Sequence, residues 1–145
     1  MNHYIEHVLD PVADLEKAKA LLRFGGVLVG ESPNFRSVDR KIFGRYWGGN
    51  HVPRHTLQYE PDQLYRLLRD AGFKNIVITS ELNTGMVAKS IQNYLQRNVK
   101  TLSDNPRLKY GRIKQFDLLL IAAIPLNTVL KLIRKSGVMK FTAVA

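Results

Sequence analysis

Apolar residues recur along this chain at two different spacings, and the switches between them lay out its elements. Val12, Leu15, Ala18, Leu21 and Leu22 fall at helical intervals between Asp10-Pro11 and Gly25-Gly26, which predicts a helix stopped by glycine. The stretch GVLVGES that follows is a short apolar run with β-branched residues, bounded by Gly-Gly and by Pro33-Asn34, and it predicts a buried strand. Residues 35–60 show no period. Phe35, Phe43, Tyr46 and Trp47 stand there among glycines and basic residues, and a loop with one short helix is expected. From Pro61 the leucines 64, 67 and 68 share a face, proline opens the first turn and Gly72 follows the last, so a helix is predicted, with KNIVITS behind it as a strand. A further helix is expected from about Met86 to Lys100, broken by SDNP at 103–106. A second apolar segment runs from Phe116 to Ile133, and GVMKFTAVA closes the chain as a strand of alternating character.

The order helix, strand, helix, strand, helices, strand is α/β, with crossovers suited to a parallel sheet. The direction of the last strand is not fixed by the pattern. At 145 residues one domain is expected, and no repeat period is visible.

Charge adds an asymmetry that the apolar pattern does not carry. The net charge is +10, and residues 1–73 contribute +1 of it against +9 from residues 74–145. Such a field favours an anionic partner: a lipid headgroup surface, a phosphorylated molecule or nucleic acid. Six Lys or Arg and one Asp lie between Arg97 and Lys114, directly before the apolar segment, so residues 97–133 are expected to form a basic and apolar helical insertion ahead of the last strand. The uninterrupted apolar core of that segment, Leu118 to Leu126, is far short of the ~20 residues that span a bilayer. It fits an anionic membrane surface or a cover over a lipid-like substrate, or else a core helix with a solvated basic neighbour. Nucleic acid is the less favoured partner, because the aromatics cluster elsewhere and no recognition motif appears. The chain has no cysteine, which removes disulfides, thiol nucleophiles and thiolate metal sites. Its first residues carry His and Glu where a secretory signal has a basic run and an apolar core, so a cytoplasmic location is expected, peripheral to a membrane if the apolar segment binds one.

The candidate chemistry starts at His3 to His7, HYIEH, which has the H-x-x-E-H pattern of some zinc enzymes. Two histidines sharing an ion across one helical turn need helix on both sides, and Asp10-Pro11 interrupts any helix soon after His7. A third ligand would have to come from Glu81, His51 or His55, none of them in a metal-binding spacing, so no metal is expected. The plainer alternative has His3 and His7 packing at the end of a strand.

Four stretches taken together point elsewhere. HYIEHVLDPVADL, ALLRFGGVLVGESPN, FGRYWGGNHVPRHTLQYEP and LYRLLRDAGFKNIVIT, in this order and spacing, resemble the second half of a class I S-adenosylmethionine-dependent methyltransferase of the small-molecule type. The resemblance rests on an E-H-x-x-D-P turn, an L-L-x-x-G-G-x-L junction, a following S-P-N, an F-G-x-x-W and a P-R-H, over residues 3–80. It implies a partial Rossmann-like sheet of C-terminal strands with flanking helices, whose last strand, GVMKFTAVA, is antiparallel and inserted beside its neighbour. It also implies S-adenosylmethionine as cofactor, a small-molecule methyl acceptor, and a place for HYIEH after the fourth strand, at the cofactor's edge. On that basis His3 and Glu6 are candidate cofactor contacts, Trp47 and Arg54 candidate substrate contacts, and His55, whose ordinary pKa lies near neutrality, the candidate catalytic base.

This sequence departs from the family pattern in three respects. Phe24 stands where proline is common before Gly25-Gly26, and Thr56 and Tyr59 stand where an apolar residue and Phe are common. More consequentially, the glycine-rich loop after the family's first strand and the acidic residue that grips the ribose lie upstream of anything in this sequence. The chain is therefore expected to be an incomplete form that holds the cofactor weakly unless an N-terminal half or a second chain supplies the rest. The alternative is a non-catalytic module on the same fold, binding anions or a membrane surface.

Overall fold

A computed structural model describes residues 1–51, 53–96 and 115–145. In chain order the elements are α1 (Pro11–Ala20), β1 (Val27–Pro33), α2 (Val38–Phe43) with a 3-10 turn at Gly44–Tyr46, α3 (Pro61–Asp70), β2 (Lys74–Glu81), α4 (Thr84–Leu95), α5 (Phe116–Ala122), α6 (Ile124–Leu132) and β3 (Val138–Val144). The expected short helix in the irregular stretch is α2. The long apolar segment is two helices where the sequence pattern reads one, because Pro125 in the first turn of α6 cannot supply the N–H that would continue α5. The basic stretch from Arg97 to Lys114, and with it the expected end of the α4 helix at Lys100, lies outside the described residues.

Local chemistry sets the helix ends. The Asp10 carboxylate accepts the Ala13 N–H at 3.0 Å to cap α1, with Pro11 behind it. Glu60 and Gln63 close a reciprocal capping box on α3, and Gly72, at φ +82°, ends the turn after it. The Asn83 side chain accepts from Met86 N–H to cap α4.

The three strands lie in the order β1-β3-β2, and β3 runs antiparallel to both. β1 and β2 are thus parallel to each other, as their helical crossover requires, but the last strand is inserted between them. The expected antiparallel last strand is present. Pairing sets Phe141 opposite Gly30 on one side and Ile78 on the other. The face that carries Phe141, Met139 and Ala143 is covered by Leu15 of α1 and by Leu64 and Leu68 of α3, all fully buried or nearly so. Each such leucine contributes about 1.5–3 kcal/mol by leaving water. The opposite face is open at one end, where Val27, Val29 and Val77 are exposed.

Residues 1–3 run parallel to β1 along its free edge. The Met1 carbonyl accepts the Glu31 N–H at 3.1 Å, and His3 N–H donates to the Glu31 carbonyl at 2.9 Å. The chain then turns at His3, which sits at φ +47°, and Ile5 anchors the turn in the core. Among the described residues, no helix is long and apolar enough to cross a membrane.

The close approach at Gly30 yields a stability test. A Cβ there would collide with the Phe141 ring and the Met1 carbonyl. Gly30→Ala is expected to destabilise the fold by about 1–3 kcal/mol through overpacking, measured as a lower urea midpoint at unchanged slope. An unchanged midpoint would mean that Phe141 does not pack over this position.

Candidate functional site

The HYIEH stretch is a turn, not a helix, with His7 N–H donating to the Tyr4 carbonyl at 2.9 Å. The turn buries Ile5 and Glu6 side by side, and Glu6 is only 1% exposed. A carboxylate this deep needs partners. One of its oxygens lies 3.2 Å from His3 Nδ1, and the other accepts from the Ser32 hydroxyl at 3.2 Å, at the carboxyl end of β1. Burial pushes the Glu6 pKa up, but the His3 hydrogen bond, a backbone hydrogen bond and the nearby imidazoles outweigh it and leave the group below its ordinary value. The His3 imidazole is raised in turn, chiefly by its hydrogen bond to Glu6, against a smaller opposing effect of burial.

The irregular stretch between α2 and α3 closes over this turn. The Glu6 carbonyl accepts from Thr56 N–H at 3.0 Å, from Leu57 N–H at 3.2 Å and from the Thr56 hydroxyl at 3.2 Å. Those bonds carry the P-R-H segment across HYIEH, so that the His7 and His55 rings meet edge to face with centroids 4.7 Å apart. His55 Nδ1 lies 2.8 Å from the Gly49 carbonyl. A carbonyl only accepts, so Nδ1 carries the proton and the Nε2 lone pair is available. Burial is the main effect on His55 and lowers its pKa, which keeps the ring neutral and able to take a proton near pH 7.

Trp47 is buried at 1% exposure, with its indole N–H donating to Asp39 at 3.0 Å. Gly49 passes directly over its ring, where a side chain would not fit. Trp47, Phe35, Tyr59, Glu6, Ser32 and His55 line a narrow cleft.

Four of the five residues singled out from the sequence, His3, Glu6, Trp47 and His55, therefore converge on one region. Arg54 behaves differently. Its side chain is exposed at the rim and it does not line the cleft, while its carbonyl takes part in the site by lying 2.7 Å from His7 Nδ1.

Sequence reasoning assigned no role to two contributors. Ser32 lies inside the S-P-N match but has no distinctive spacing to Glu6. Tyr59 left a signal, because its hydroxyl stands where the family pattern has Phe. Among the described residues that buried hydroxyl has no hydrogen-bond partner, and burial together with the Glu6 charge pushes its pKa up to about 12.

A family model described as a methyltransferase domain matches residues 1–78. Among curated proteins, the chain is similar to ubiquinone biosynthesis O-methyltransferases of Cereibacter sphaeroides. One is 35% identical over 74 residues, a match covering 47% of this chain and 30% of that protein, and the protein of a second strain is 36% identical over the same span. The chain thus spans less than a third of the length of the curated relatives it matches. Among solved structures, a SAM-dependent methyltransferase from Thermotoga maritima superposes with a TM-score of 0.53 at 16% identity, over 99% of this chain and 53% of that one. A SAM-dependent methyltransferase from Archaeoglobus fulgidus does so with a TM-score of 0.53 at 18% identity, over 100% of this chain and 57% of that one. At these identities the likeness is one of fold.

The His3–Glu6 pair has a defined pH window. Glu6 is lowered from 4.5, so its contribution to stability is complete above pH 4.5 and is lost as pH falls through its folded value. His3 is raised from 6.5, so its contribution is complete below pH 6.5 and is lost as pH rises through its folded value. The His3 side chain is 42% exposed, which weakens the pair by solvent screening. His3→Asn tolerates the positive φ, and it is expected to cost about 0.5–1 kcal/mol at pH ~5.5 and close to nothing at pH ~8.5. Urea unfolding at the two pH values checks this, and an equal loss at both would mean that the ion pair is not the source.

Proposed function

The chain belongs to the methyltransferase-domain family, and on that footing we propose that it serves S-adenosylmethionine-dependent transfer of a methyl group to a small molecule. The observation that carries this reading is the convergence of His3, Glu6 and Ser32 at the carboxyl ends of their strands, beside a cleft walled by Trp47 and His55. Ligands of open α/β sheets bind at that end. The cofactor, when bound, supplies an already activated methyl group. The protein then has to place the acceptor in line, exclude water and take up a proton.

In this reading Glu6 and His3 form the cofactor's edge. Trp47, buried behind the closed cleft with its aromatic neighbours, supports the acceptor's side of the site from within, and Arg54 at the rim meets an anionic group on it. His55 Nε2, presented by the Gly49 hydrogen bond, takes the acceptor's proton. An acceptor that must lose a proton is a hydroxyl or phenol more readily than an amine, and the similar curated proteins are named O-methyltransferases. No glycine-rich loop follows a strand in this sequence, so we take the cofactor cradle to be completed by a further half of the fold or by a second chain. The expected location is cytoplasmic.

Imidazole NMR spectra of the chain titrated with S-adenosylmethionine test the reading. The His3 and His55 signals are expected to move with a dissociation constant weaker than about 100 µM, or ~5.5 kcal/mol. Tighter binding would show that the chain needs no further half. Unmoved signals at millimolar cofactor would refute the assignment of this edge to the cofactor.

A second reading of α5 and α6 is favoured by their surface. Leu118, Ile121, Val129 and Leu132 are each more than half exposed, and the sequence just before α5 is rich in Lys and Arg. We propose that this insertion rests on an anionic membrane surface, with the methyl-transfer site peripheral to it. Co-sedimentation with phosphatidylserine-containing vesicles is expected at low salt, weaker at high salt, and strongly reduced by Ile121→Glu combined with Leu132→Glu. Failure to pellet at low salt, or pelleting undiminished in the double variant, would remove this reading.

A further inference from the structure

HYIEH and the P-R-H segment meet in an arrangement that neither contains alone. One carboxylate oxygen of Glu6, one ring nitrogen of His7 and one of His55 all lie within 4.8 Å of one another. Both rings are held from behind. His7 Nδ1 lies 2.7 Å from the Arg54 carbonyl and His55 Nδ1 lies 2.8 Å from the Gly49 carbonyl, so each Nδ1 is the protonated nitrogen and each Nε2 carries the lone pair. Backbone carbonyls that fix the tautomer of a histidine in this way are the usual outer partners of metal-bound imidazole. Glu6 is similarly oriented by His3 and Ser32.

We propose that Glu6, His7 and His55 form a binding site for a divalent transition-metal cation of the zinc type. Two imidazoles and one carboxylate suit zinc, cobalt or nickel, whereas magnesium and calcium favour oxygen ligands throughout. Donors on a tetrahedral zinc about 2.1 Å away stand ~3.4 Å apart, so side chains that already bring a donor atom each to within 4.8 Å of one another have to draw together onto an ion. His7 is at the surface, so its ring can lean toward the ion while Nδ1 keeps the Arg54 carbonyl. An added positive ion also offsets the charge of the buried Glu6 carboxylate, and a His55 kept neutral by burial is in the protonation state a ligand needs. His51 stacks on His55 with ring centroids 5.1 Å apart but stands outside the triad.

The sequence alone led to no metal at HYIEH, and the proposed site departs from that expectation. The two histidines of HYIEH do not share an ion across one turn. His3 orients Glu6, and the set is Glu6, His7 and the distant His55. This site goes beyond the methyl-transfer reading and is tested without S-adenosylmethionine, so either can fail alone. An ion there would occupy the His55 lone pair, and its effect on the acceptor would be to acidify a bound oxygen.

The test uses the untagged chain, stripped with a chelator and titrated with Co²⁺ alone, followed by Zn²⁺. One equivalent of Co²⁺ is expected to develop visible absorption, which Zn²⁺ displaces, and binding is expected to fall as pH drops through the imidazole range. His7→Ala and His55→Ala should each weaken Zn²⁺ binding more than about 100-fold, exceeding the 10–100-fold loss typical of outer-partner changes, while His51→Ala stays within about threefold. Circular dichroism checks that each variant folds, and exposed His7 carries the test if His55→Ala does not. Absence of saturable binding by the folded chain overturns the proposal. So does a loss in His51→Ala equal to that in His7→Ala, which would indicate an adventitious histidine cluster.

Discussion

Burying a carboxylate costs several kcal/mol unless hydrogen-bond donors replace the water it loses, and Glu6 imposes that requirement on everything near it. His3 and Ser32 meet it through the side chain. For His3 to reach, the chain must turn at a left-handed residue directly after the three-residue edge pairing with β1. For Ser32 to reach, β1 must end where it does. The Glu6 backbone then receives Thr56 and Leu57, which ties the long irregular stretch to the first turn of the protein. Removing the carboxylate would leave His3 and Ser32 without their shared partner, while the backbone bonds to Thr56 and Leu57 would remain.

The sheet supplies the rigidity behind this arrangement. β3, placed between β1 and β2, pairs along both edges and presents Phe141 to the core formed with α1 and α3. Its insertion leaves β1 with a free edge, which residues 1–3 occupy. The path from the last strand to the site is short: Phe141 packs at Gly30, Gly30 precedes Glu31, and Glu31 holds His3. The site is thus set by packing from below and by hydrogen bonds from above. That suits a surface whose ligand has to be oriented more than chemically forced.

The two proposed chemistries would compete for the same atoms. The tautomer that makes His55 Nε2 a proton acceptor also makes it a metal ligand, since both require a neutral ring and a lone pair aimed away from Gly49. The narrow cleft beside Trp47 is common to both. What separates them is His7: a base does not need a second imidazole 4.7 Å away, whereas an ion does.

The strands and helices could be read from the sequence because periodicity, Pro11, Gly25-Gly26, Pro61 and Gly72 are local signals, and local signals survive without knowledge of the fold. The family could also be read, because the E-H-x-x-D-P, S-P-N and P-R-H matches keep their order. The division of the apolar segment at Pro125 was within reach of the same reasoning, yet the apolar run masked it. Beyond the sequence lay every relation across long separations. The direction of β3 depends on pairing with strands more than 50 residues earlier. The union of Glu6, His7 and His55 depends on the backbone bonds from Thr56 and Leu57 to the Glu6 carbonyl, about 50 residues apart, between atoms that leave no mark in a sequence. Side-chain identity determined which chemistry was available to this protein. Only tertiary hydrogen bonding decided which of its four histidines would share a site with a buried carboxylate.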